Sequence, residues 1–66
     1  MKRLYDGYIH ENGDLIVQRM PFDTSLIDRS SPFVKRYLGP VEVENVAQAR
    51  TLLWLENNKI ETSGVL

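Results

Sequence analysis

The sequence predicts an α+β domain: a three-stranded antiparallel sheet, built from an N-terminal hairpin plus one strand, packed on one C-terminal α-helix. Three observations predict it. Asn12-Gly13 separates two apolar runs in "YIHENGDLIVQRM", the strongest short-range hairpin signal. A second group of strand formers, Phe33, Val34, Tyr37 and Leu38, follows a polar loop. The run "VEVENVAQARTLLWLENNK" then carries helical periodicity behind a capping residue.

The hairpin is assigned to residues 3–20. With Asn12-Gly13 at the two central turn positions, counting outward opposes Ile9 to Ile16, Tyr8 to Val17 and Asp6 to Arg19. Opposed residues share a face. Tyr5, Ile9 and Ile16 then form the core face, and Tyr8 with Val17 a half-exposed one. Pro21 has no N–H for a ladder and ends the second strand. Residues 21–31 read as an ordered loop, because Asp, Thr and Ser favour turns while Phe22, Leu26 and Ile27 are too apolar for a free linker.

Residues 32–38 read as a third strand or a short helix. Ser31-Pro32 resembles a helix start and Gly39 a stop, whereas the alternation of Phe33, Lys35 and Tyr37 against Val34, Arg36 and Leu38 favours a strand. The strand is preferred, since two strands alone rarely hold. The helix is assigned to 45–57. Asn45 caps it, Gln48 sits three residues later, and Asn57-Asn58 supply a stop. Val46, Ala49, Leu52, Leu53 and Glu56 fall on one arc, which Leu55 extends. Residues 58–66 form a tail, with a short strand over 60–62 as one option and Val65 and Leu66 free to dock or fray. The expected core is Tyr5, Ile9, Ile16, Phe33, Val46, Ala49, Leu52 and Leu53.

A chain of 66 residues is a single domain, 1–66. A domain this short buries only about 60% of its unfolded surface. It has no Cys, so neither disulfide nor thiolate metal site supports it. Domains of this kind often gain stability from a partner. The net charge of −1 argues against bulk affinity for nucleic acid or membrane. No signal peptide and no apolar run of membrane-spanning length is visible, which sets a cytoplasmic, non-membrane expectation.

Little here points to catalysis. His10 is the only histidine, beside a single neighbouring carboxylate, which makes neither a triad nor a metal set. No catalytic residue, metal, cofactor or small-molecule substrate is therefore expected. Two surfaces remain as candidates. One is a protein interface at Trp54, Arg50 and Leu55 on the helix, with Tyr8 and Val17 on the hairpin. Trp54 lies off the main apolar arc, so it reads as core or as an interface anchor, with Arg50 one turn earlier and able to cover its ring. The other is a basic cluster of Arg3, Arg19, Lys35 and Arg36, able to contact phosphate.

The run from Lys35 to Asn57, with Tyr37-Leu38-Gly39 followed by Ala47 and Ala49, resembles the plant ethylene-response-factor DNA-binding domain and the arm-binding domains of tyrosine integrases. The resemblance implies a three-stranded sheet on one helix, with the sheet entering the major groove of DNA. The loop over 21–31 is longer than in that pattern, and this chain is net acidic. The leading expectation is a non-enzymatic binding module that acts through protein–protein contact, including self-association, of the kind that suits a phage or mobile-element accessory protein. Sheet-mediated DNA binding is the alternative.

Overall fold

In the computed structural model, which describes residues 1–22 and 24–63, the chain runs β1 (Arg3–His10), β2 (Leu15–Arg19), β3 (Val34–Val43) and α1 (Val46–Ser63). The strands form one antiparallel sheet in the order β2-β1-β3, and α1 packs on one face of it. The predicted α+β architecture is present.

The hairpin forms around a three-residue loop. The His10 carbonyl accepts from Gly13 N–H at 2.8 Å, and His10 N–H donates to the Asp14 carbonyl at 2.8 Å. Gly13 takes a φ of 95°, which a residue without Cβ adopts at no steric cost. Asn12 uses its side chain instead, Oδ1 accepting from Asp14 N–H at 2.9 Å. One extra loop residue shifts the register by one. Ile9 pairs with Leu15, Tyr8 with Ile16, Gly7 with Val17 and Asp6 with Gln18. The expected pairs Ile9–Ile16, Tyr8–Val17 and Asp6–Arg19 do not form. Leu15 and Val17 therefore face the helix, and Ile16 turns to the opposite, exposed side.

Residues 32–38 resolve as strand, and the strand continues to Val43. Gly39-Pro40 does not stop it. The register moves from Tyr5–Val41 to Gly7–Leu38, so the extra residue is absorbed as a bulge. Gly39 has a φ of 100°, and a Cβ there would lie 3.2 Å from the Asp6 Cα. Phe33, expected in the core, precedes the strand and is 54% exposed. Its ring stacks on His10, centroids 5.8 Å apart.

Asn45 caps α1 as predicted, its Oδ1 accepting from Gln48 N–H at 2.9 Å. Gln48 Oε1 accepts from Glu44 N–H at 2.9 Å, a reciprocal bond displaced by one residue from the usual capping box. The helix does not end at Asn57-Asn58. Asn57 is buried and its amide oxygen accepts from Arg36, so it serves packing, not termination. Residues 58–63 are helical, which removes the strand option at 60–62. Val65 and Leu66 lie outside the described residues.

The core joins Tyr5, Ile9, Leu15, Leu38 and Val43 of the sheet to Ala49 and Leu53 of the helix, with Val17 and Val41 packed beside them. Val46 and Leu52, expected inside, are exposed.

On the other face of the sheet lie Ser25 and Arg29 of the loop that follows β2. Asp6, at the centre of β1, is fully buried beneath it. Its Oδ2 accepts from the Ser25 hydroxyl and from the Tyr37 hydroxyl, the latter at 3.0 Å. Its Oδ1 meets no donor among the described residues. Ser25 Oγ also accepts from Ile27 N–H at 3.1 Å, and the Arg29 guanidinium lies 3.9 Å from the Tyr37 ring centroid. Among the described residues of the segment no helical turn forms. Asp28 nucleates a turn, and the hydroxyl and N–H of Ser30 hold its carboxyl below the ordinary carboxylate range. With Tyr37 still donating to the same oxygen, loss of one hydrogen bond costs about 0.5–1.5 kcal/mol. Ser25→Ala is expected to lower stability by an amount in that range, read from urea unfolding. A change smaller than about 0.5 kcal/mol would show that Ser25 does not hold the segment.

Candidate functional site

The helix is seated by a narrow stripe. Ala49, Leu53 and Asn57 recur every four residues, so they line one edge of the helix, and all three are buried. Gly7 lies directly beneath. A Cβ there would stand 3.0 Å from Leu53 Cδ1 and 2.4 Å from the Ile16 carbonyl oxygen. The missing side chain lets the helix approach the sheet closely at its midpoint. Arg36 fixes the C-terminal half from below, donating to Asn57 Oδ1 and standing 3.5 Å from a Glu61 carboxyl oxygen.

Close seating on so thin a stripe leaves apolar side chains outside. Val46, Leu52, Trp54 and Leu55 are all exposed, Leu55 at 55%. Leu52 and Leu55 fall on the flank above β3. There, with Lys59, they line one wall of an open groove of about 830 Å³ whose other wall is Gly39, Pro40 and Val41. A folded domain rarely keeps contiguous apolar surface without a use for it.

The expected interface residues divide between surfaces. Trp54 is 39% exposed and does not lie in the core. Arg50 turns toward β2, its Nη2 donating to the Leu15 carbonyl at 3.4 Å. Leu55 lies on the groove flank. Tyr8 and Val17, expected to share a face, sit on opposite faces because of the shifted register. Val17 packs against the core under the helix, and Tyr8 lies half-buried on the far side beside Tyr37 and Ile16. They do not form one surface. Pro40, Val41, Leu52 and Lys59 were not singled out as surface residues. The signal that could have found the helical ones is the spacing of Gln48, Leu52, Leu55, Lys59 and Thr62, alternating four and three.

The basic residues do not gather either. Arg3 and Arg19 lie at one end of the sheet, beside Lys2, Met20, Phe22 and Glu42. Lys35 and Arg36 lie near Ile9 and His10. Six residues of β1 separate the two groups, about 20 Å, and Arg36 is engaged by the helix. The sheet face away from the helix, which the integrase-like arrangement would present to DNA, carries Ser25, Arg29 and the buried Asp6. His10 is occupied structurally, stacked on Phe33 and accepting from Asn12 N–H at 3.3 Å through Nδ1. Among the described residues no three His, Asp or Glu side chains converge as a metal set, and no helix is long and apolar enough to cross a membrane.

Compared with protein-family models, curated proteins and solved structures, the chain matches none.

Proposed function

We propose that this chain is a non-enzymatic protein-docking module whose helix carries the contact. One observation supports this reading above the others: α1 buries only a thin stripe and leaves Leu52 and Leu55 exposed over a groove walled by Pro40 and Val41. A central apolar contact with a polar rim is the usual anatomy of a protein interface. Glu56 and Lys59 supply that rim here. Trp54, on the other flank, extends the apolar surface of the same helix.

The test compares the wild-type chain with Leu52→Glu/Leu55→Glu. Both positions are exposed, so the variant is expected to keep its fold, checked by circular dichroism and Trp54 fluorescence. Each protein is immobilised and challenged with cell extract. The reading expects proteins held by the wild type and lost by the variant. Identical retention on both, together with a wild type that is monomeric in light scattering, would overturn it.

A further inference from the structure

Resting on that docking reading, we propose that the occupant of the Leu52–Leu55 flank is a second copy of this chain, with the two helices antiparallel about a two-fold axis midway between Leu52 and Leu55. The flank is a seam. Gln48, Leu52, Leu55, Lys59 and Thr62 follow the four-three spacing of a helix that packs along another helix. Its apolar pair is central and its polar members lie toward the ends. Turned about the midpoint, Leu52 meets the second copy's Leu55, and Gln48 meets its Lys59. Both contacts occur twice, as a two-fold interface requires.

Charge selects the antiparallel arrangement. A parallel pair would stack Lys59 on Lys59. The antiparallel pair brings Lys59 to the other helix's N-terminal end, where Glu44 precedes Gln48 by about one turn. Neither Lys59 nor Glu44 has a salt bridge among the described residues. The groove supplies depth, since Pro40 and Val41 wall it beside the leucines. An interface of standard size takes about 800 Å² per partner, roughly one-sixth of this chain's 4742 Å² of accessible surface. The helix flank offers about 27 Å of length, from 18 residues.

The chain contains no cysteine, so single-cysteine variants report contacts cleanly. Gln48→Cys and Lys59→Cys are oxidised separately and as an equal mixture. In the proposed pair, position 48 faces position 59 of the other copy. Two copies of position 48 are offset by eleven residues, about 16 Å, beyond the roughly 7 Å a disulfide spans between Cα atoms. The mixture is expected to give a linked dimer at least about tenfold faster than either variant alone, and Leu52→Glu/Leu55→Glu in both is expected to abolish it. Failure of the mixture to link, or linkage of Gln48→Cys alone as fast as the mixture, would overturn the proposal. Light scattering of the wild type separates the two readings. A monomer at about 100 μM, where a Kd of about 10 μM already gives mostly dimer, ends the second-copy proposal. Extract proteins retained through the same flank would still leave the docking reading standing.

Discussion

Gly7→Ala is expected to cost about 3 kcal/mol or more, measured as a fall in the urea midpoint followed by Trp54 fluorescence. The added methyl would meet the Ile16 carbonyl oxygen at 2.4 Å and Leu53 Cδ1 at 3.0 Å. The first of these contacts is to backbone in the neighbouring strand. It cannot be relieved by a rotamer change, so β2 must move or the helix must lift. Overpacking a tight core usually costs about 1–3 kcal/mol and more where backbone must shift. A domain of 66 residues has roughly 3–10 kcal/mol in total. The substitution therefore removes a large part of the stability and can unfold the chain outright. A variant melting within about 0.5 kcal/mol of the wild type would mean that the helix does not seat on this point.

Leu53→Ala carries the second large effect, and its neighbour supplies the control. Leu53 is fully buried at the centre of the helix–sheet contact, against Ile9, Leu15 and Leu38. Truncating a leucine in such a site costs about 2–5 kcal/mol, from lost burial and from the cavity left behind. Leu52, one position earlier, is exposed. Its truncation is expected to cost less than about 1 kcal/mol in the isolated chain, because little burial is lost. The contrast between adjacent leucines tests the narrow stripe directly. Equal losses at both positions would show that the helix buries a broad face.

Much of this architecture was legible in the residues. Asn12-Gly13 marked the hairpin, Asn45 marked the helix start, and the strand formers after Ser31 marked the third strand. The register was not legible, because Asn-Gly serves two loop geometries that differ by one residue. A clue lay in the charges. The two-residue turn opposes Glu11 to Asp14, whereas the observed loop opposes Asp14 to His10. The observed register also lines Tyr5, Ile9, Leu15 and Val17 on one side, a cleaner apolar face than the expected one. The helix end is not legible locally, because the terminating tendency of Asn57 is overridden by its burial. Its partner Arg36 lies 21 residues away, beyond the reach of any local rule. Gly39-Pro40 looked like a stop for the same reason. What makes it a bulge is the Asp6 backbone pressed against Gly39 from the neighbouring strand. The exposed flank of the helix is half visible in the sequence. Trp54 and Leu55 stand out in the helix, whereas periodicity points Leu52 inward, because it predicts a broader buried arc than the Ala49–Leu53–Asn57 stripe.

The margins of the sheet carry a consequence for crowded conditions. β2 has only five residues, and β3, on the other margin, contains Pro40 and two breaks in register. Neither offers a long, flat row of amides to an incoming ribbon. Concentrated solutions of the folded chain are accordingly expected to stop at small closed particles and not to seed cross-β fibrils.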